Sequence, residues 1–409
     1  MNLDKLYKLS AKYTSPILFI GGVMTVSCLL FQSVLLCRIT AFILTLICVI
    51  LGCQEKKIIN PYFLFALTPF SLFMYVNLGG FYMVELTPRT WNIALMNIMA
   101  FILALRFTPN VKHRAYSGMN ISNGFYKHMF FLYLLTLIAP FSGPFSSVLY
   151  LLSAVIIVLA FSTRNKYLII AYTVLILFNI ITGSSSKMGI LTLLLAYIIS
   201  YEHYYVKSLR ERKRIIYVAL LAVPLMVFSF SFANKERGHY NAEDGLAYYS
   251  RGGNLEWNLA PSLFLPYMYL ETPWVNLQYV TETQDNRTYG MWALKPLLGY
   301  LGLRDDEDYK LEPYSSFNTF TFISCQFKDF GYYGSVLLSL FLGFFVKKMY
   351  SLSMRSNSPF YLGVFVLVAL ATLEMFFSNH FFMQSYPFTI FIMMWLYQMF
   401  FVNTFNKKI

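Results

Sequence analysis

Apolar runs of membrane-crossing length recur along the whole chain, separated by short polar segments. A helix needs about 20 mostly apolar residues to cross a hydrocarbon layer of ~30 Å. These Leu-, Ile- and Phe-rich runs do not alternate in polarity, which excludes a transmembrane β-barrel built from alternating segments of about ten residues. The pattern predicts twelve spans, at 16–32, 36–54, 61–79, 91–108, 128–142, 145–163, 167–183, 187–202, 215–233, 332–347, 359–379 and 385–402. The expected fold is all-α and polytopic, a single integral membrane domain over 1–409. Spans one to nine fall in 16–233, one large loop covers 234–331, and spans ten to twelve fall in 332–409.

Composition agrees: the 409 residues are 57% hydrophobic and only 12% charged, about half the charged share of a soluble domain. The start "MNLDKLYKLSAKYTSP" leads into an apolar run that no small-residue cleavage site closes, so it reads as a retained first span. Of five cysteines, Cys28, Cys37, Cys48 and Cys53 lie in or beside the first two runs and Cys325 lies elsewhere. None has metal-ligand spacing, and they read as core residues.

Charge then orients the chain. With the N-terminus inside, the inner segments collect Lys5, Lys8, Lys12, Lys56, Lys57, Lys112, Arg114, Lys127, Arg164, Lys166, the "KSLRERKR" cluster at 207–214, Lys347, Lys348, Arg355, Lys407 and Lys408. This is the positive-inside pattern, and it places both termini in the cytoplasm. The formal charge of +13 is dispersed over many short loops, so it marks topology rather than a nucleic-acid surface. The loop 234–331 reverses the balance, with eight basic and thirteen acidic residues. It is too aromatic for a disordered segment. Within it, "LAPSLFLPYMYLETPWVNLQYVTE" predicts membrane-hugging or re-entrant helices broken at Pro261, Pro266 and Pro273.

Polar residues at the outer ends of the spans carry the candidate chemistry. Arg38, Glu85, Arg89, Lys187 and His380 remain there. An ionisable group at membrane depth is costly and is a functional candidate by default, while a long side chain can also snorkel to the headgroups. In "IITGSSSKMGIL", Lys187 stands at a helix start whose open N–H groups favour anions; the serines are also ordinary caps. Arg237, His239 and Arg251 lie just past a span, with Glu243, Asp244 and Glu256 beside them as possible bases. Arg287 and Tyr289 precede Gly290, and a guanidinium suits phosphate because its planar fork donates bidentately. Among nucleotide, metalloprotease and serine-hydrolase signatures, GxGxxG, the P-loop, HExxH and G-x-S-x-G are all absent. The turn "RDDEDYK" could hold a hard cation or simply face water.

Four features together resemble the O-antigen and oligosaccharide repeat-unit polymerases, the Wzy family of bacterial inner-membrane glycosyltransferases. These are the span count with one dominant late loop, "ITGSSSKMGIL", "YLETPWVNLQYV" with "NRTYGMWALKPLLGYLG", and "NTFTFISCQFKDFGYYGS" leading into the next span. Lys187 stands where that family often has Arg, which keeps the charge and loses the fork. The resemblance implies joining of oligosaccharide units carried on undecaprenyl diphosphate, outside the inner membrane, with no metal and no cofactor. It also implies partners in the same pathway: membrane lipid, a flippase and a chain-length regulator.

In that reading Asn318 and Thr319 hydrogen-bond sugar or phosphate. Asp329 faces the acceptor hydroxyl or orients Lys328, with Glu256 and His239 as other bases. Lys187, Arg237, Arg251 and Arg287 stabilise the diphosphate, and Trp257, Trp274, Tyr289 and Trp292 suit sugar faces. Arg89, Lys328 and His380 complete the substrate-facing set. An O-antigen ligase shares this donor and loop design. A transporter of lipid-linked sugars would instead show an internal repeat, and the chain has no clear one.

Overall fold

The computed structural model describes residues 3–55, 57–78, 85–109, 123–138, 146–182, 187–206, 211, 261–283, 287–292, 298, 319–355, 359–378, 381 and 390. Among them there is no strand. The helices are α1 (Leu3–Phe31), α2 (Val34–Gln54), α3 (Pro61–Phe65), α4 (Leu67–Leu78), α5 (Pro88–Phe107), α6 (Asn123–Ile138), α7 (Ser146–Ser162), α8 (Lys166–Thr182), α9 (Lys187–Tyr204), α10 (Pro261–Thr283), α11 (Phe322–Arg355) and α12 (Pro359–Leu373). Thr14–Phe31, Val34–Gln54, Pro88–Phe107 and Phe322–Met354 are long and apolar enough to cross a membrane, and shorter apolar helices accompany them. This is a helical membrane protein. The expected span at 215–233, and all of that at 385–402 except Ile390, lie outside the described residues.

Local chemistry sets the helix ends. Gln32, in the left-handed region at φ 48, turns α1 into α2. Asn60 is fully buried: its Oδ1 accepts from the N–H groups of Tyr62 and Phe63 at 3.1 and 3.2 Å, and its Nδ2 donates to Gly52 O at 3.1 Å. It thereby caps α3 and ties it to the end of α2. Thr87 caps α5, with Pro88 in the first turn.

The chain divides into two compact units. One comprises Met1–Thr108, Ala222–Phe345 and Thr372–Met383; the other comprises Pro109–Leu221, Val346–Ala371 and Gln384–Ile409. In the second, α7 is buried from Leu152 to Phe161 between α6, α8 and α9. Val155 also meets Gly363 of α12, where an added Cβ would touch its methyls at 3.5 Å.

In the first unit, α2 packs on α1, α3, α4 and α5. α10 falls inside the expected outer loop, yet it packs on α4 and α5 and is buried from Glu271 to Leu277. It is one continuous helix, not pieces broken at its prolines. An interior proline costs about 3 kcal/mol. Burial of Trp274, Val275 and Leu277, each worth about 1.5–3 kcal/mol, outweighs that cost. The Trp274 indole donates to Ser71 Oγ of α4 at 3.0 Å.

α11 is bent. Gly331 has φ 68 and ψ −161, which is not helical. The bend brings Gln326 Oε1 within 3.0 Å of Ser339 Oγ; along a straight helix thirteen residues would separate them by about 20 Å. Beyond the bend, Gly331, Ser335, Ser339 and Gly343 recur every fourth residue. Ser339 Oγ donates to Asn97 Oδ1 at 2.6 Å, and Asn97 Nδ2 donates to Ser335 Oγ at 3.1 Å. At Gly343 an added Cβ would lie 2.6 Å from Phe101 O, so only glycine permits the approach of α11 to α5. Leu337 and Phe341, on the far side, are exposed. The helix is polar inward and apolar outward, which suits lipid.

Candidate functional site

The site is built around the short helical segment Phe322–Phe330 that precedes the bend. Thr321 starts it, accepting from Ser324 N at 3.3 Å. Phe322 N donates to Met375 O at 3.0 Å. Every residue from Phe322 to Asp329 is buried. A helix ending at a sharp bend leaves its last carbonyls without helical donors. Here the segment Arg287–Trp292 supplies them. Arg287 Nη1 donates to Phe327 O at 3.0 Å, Thr288 N to Lys328 O at 3.2 Å, and Tyr289 N to Asp329 O at 3.1 Å. A guanidinium at a helix C-terminus also complements the helix dipole.

Asp329 returns the contact. It is 1% exposed, and its Oδ1 accepts from Thr288 Oγ1 at 2.5 Å and from Trp292 N at 3.0 Å. These charge-assisted bonds fix the loop that carries Arg287. The same loop holds Tyr289 at φ 47, a left-handed conformation unusual for a bulky residue, with its side chain 83% exposed. Gly290 follows at φ 94, and an added Cβ there would stand 3.3 Å from the Phe330 ring.

Phe327 gathers two guanidiniums from distant segments. Arg287 Cζ lies 4.3 Å from its ring centroid, and Arg89 Cζ lies 5.9 Å from it. Both are cation–π contacts, and the two groups are at most about 10 Å apart. Arg89 is exposed, in the first turn of α5. That turn is pinned to the end of α10: Thr87 N donates to Gln278 Oε1 at 2.8 Å, Thr87 Oγ1 donates to Glu282 Oε1 at 2.6 Å, and the hydroxyls of Thr90 and Thr281 are 2.7 Å apart. Beside it opens a cavity of about 490 Å³ lined by Gln32, Thr87, Pro88, Arg89, Asn92, Glu282 and Tyr332.

Of the residues the sequence singles out, the structure therefore brings together Arg89, Arg287, Tyr289, Lys328 and Asp329. Lys328 is buried within the short helix. Thr319 lies three residues before the start of that helix, away from its Lys328–Asp329 end. Its carbonyl accepts from Asn276 Nδ2 at 2.7 Å, and its hydroxyl donates to Thr272 Oγ1 at 3.4 Å. Lys187 begins α9, in the second unit. Arg237, His239, Arg251, Asn318 and His380 lie outside the described residues. Among the described residues, no three His, Cys, Asp or Glu side chains form a group able to hold a metal. The sequence reading passed over Glu282, Asn92 and Gln32; a carboxylate five residues before Arg287 was the one available signal.

No family model matches the chain, and neither a curated protein nor a solved structure does.

Proposed function

We propose that this protein is a bacterial inner-membrane polymerase of the O-antigen type, joining oligosaccharide units carried on undecaprenyl diphosphate at the outer face of the membrane. One observation carries the reading: two guanidiniums, from segments nearly two hundred residues apart, meet on Phe327 where a helix bends beside an open cavity. The positive-inside pattern puts the α1–α2 turn, and with it this cavity, on the outer side.

In the reaction, an acceptor hydroxyl attacks C1 of the donor sugar. The C1–O bond to diphosphate breaks, and the electron pair leaves with the lipid diphosphate. Guanidiniums held in place before the reaction stabilise that growing charge without reorganising. Arg287 is anchored by its Nη1 bond to Phe327 O. Asp329 is a positioning residue here: it holds Thr288 and Trp292, and through them the strand of loop bearing Arg287. Exposed Tyr289 offers a ring to a sugar face at the same mouth.

The test is deletion of the gene in a smooth strain. A polymerase mutant leaves lipid A core capped by a single repeat unit. Bare core, with polymer retained on the lipid carrier, would mark a ligase instead. An unaltered polysaccharide ladder would reject both.

A further inference from the structure

The cavity beside Arg89 has contents that the diphosphate chemistry does not use. Its wall carries a side-chain amide from the α1–α2 turn (Gln32), a second amide from the first turns of α5 (Asn92), a phenol ring from just past the bend (Tyr332) and a carboxylate from the last turn of α10 (Glu282). Amides, one carboxylate and an aromatic ring make a set suited to a hydroxyl-rich ligand. The volume of about 490 Å³ lies within the usual range for small-molecule sites, roughly 300–1,000 Å³. Asn92 Oδ1 is buried with no hydrogen-bond partner among the described residues.

Glu282 differs from Asp329 in the way that matters for proton transfer. Asp329 is buried and has Oδ1 engaged twice by the loop. Glu282 is exposed, and among the described residues Thr87 Oγ1 is its one hydrogen-bond partner, on Oε1. That bond holds Oε1 and orients the carboxylate, and Glu282 lines the cavity. Arg89 lines the same cavity and also reaches the Phe327 ring on which Arg287 lies. A sugar in the cavity is thus next to the guanidinium pair.

We infer that this cavity holds the acceptor saccharide and that Glu282 takes the proton from its attacking hydroxyl. The inference rests on the polymerase reading. The hydroxyl oxygen bonds to the donor C1, the C1–O bond to the lipid diphosphate breaks, and the hydroxyl proton passes to Glu282 Oε2 and then to water.

The experiment uses the full-length protein in lipid nanodiscs and the lipid-linked repeat unit extracted from the deletion strain. Polymer formation is measured alongside binding of the same lipid-linked unit. For Glu282→Gln the expected result is a loss of turnover of about 10²-fold or more, the scale of general-base catalysis, with binding unchanged. Glu282→Asp should recover part of the rate. Asn92→Trp, which fills the cavity without removing the carboxylate, should raise KM for the acceptor while Glu282 remains. A Glu282→Gln protein that is as active as wild type, or one that loses binding and turnover together, overturns the assignment while leaving the polymerase reading standing. A wild-type protein that forms no polymer overturns both.

Discussion

Replacing Gly331 with alanine tests whether the bend builds the site. Its backbone, at φ 68 and ψ −161, lies in a region that only glycine occupies readily, and a side chain held there costs about 1–3 kcal/mol. Alanine also lowers the entropy of the unfolded chain, which offsets up to about 1 kcal/mol. Crowding adds little, since the new Cβ would meet Arg287 Nε at 3.4 Å, close to ordinary contact. The net loss should be about 1–2 kcal/mol. A chain relieving that strain straightens at 331. Phe327, Lys328 and Asp329 then leave Arg287, Thr288 and Tyr289, and the guanidinium pair separates. The assay is SDS-induced unfolding in mixed micelles, followed by tryptophan fluorescence, together with the length distribution of polysaccharide in a complemented deletion strain. Gly22→Ala is the control of opposite sign: it is helical, its added Cβ meets only Met99 at 3.8 Å, and alanine there should stabilise by about 0.5–1 kcal/mol. A Gly331→Ala protein as stable as wild type, with a normal ladder, would refute the reasoning.

Asp329→Ala should destabilise by about 2–6 kcal/mol, because Thr288 Oγ and the Trp292 N–H are left in a buried site without their acceptor and each such group costs about 1–3 kcal/mol; Asp329→Asn keeps an acceptor oxygen and should cost about half as much in the same unfolding assay. If the proposed reaction holds, Arg89→Ala and Arg287→Ala should each shorten the ladder, with non-additive effects on polymerisation rate in a double-mutant cycle, since the proposal has both acting on one leaving group; additive losses would separate the two sites. Tyr289→Gly should stabilise the protein by about 1 kcal/mol by relieving a left-handed residue, yet reduce polymer yield. Gly343→Leu should lower folded yield sharply, since an added Cβ already meets Phe101 O at 2.6 Å.

The apolar periodicity made the helices legible, because a span announces itself by length and hydropathy. Helices α1, α2, α5, α6, α7, α8, α9 and α12 stand at eight of the expected span positions to within a turn or two, apart from the earlier start of α1 and the earlier end of α12, and of these α1, α2 and α5 are long and apolar enough to cross a membrane. The expected span at 61–79 divides at Ala66 into α3 and α4, where no sequence cue stands out. α10 was misread because prolines at 266 and 273 argue locally for breaks, while the burial that overrides them is a tertiary fact. The helical stretch before Gly331 escaped notice because "FISCQFKDF" has neither the length nor the polarity pattern of a span. Arg89 was legible as a cation at an expected outer end, where charge is costly, and Arg287 as a guanidinium suited to phosphate in the expected outer loop. Their meeting on Phe327 was not, because nothing in residue order relates position 89 to position 287. Glu282 was passed over as one acidic residue among thirteen in its loop.

The pairing of α11 with α5 has a mechanical consequence. Ser335 and Ser339 engage opposite ends of one amide at Asn97, and Gly343 seats against the Phe101 carbonyl. Sliding or rolling α11 by a single residue would break both bonds and drive a side chain into backbone. The limb after Gly331 is therefore bolted to α5 on both its polar contacts and its closest backbone approach, whereas the Phe322–Phe330 limb is held at its tip by the loop Arg287–Trp292.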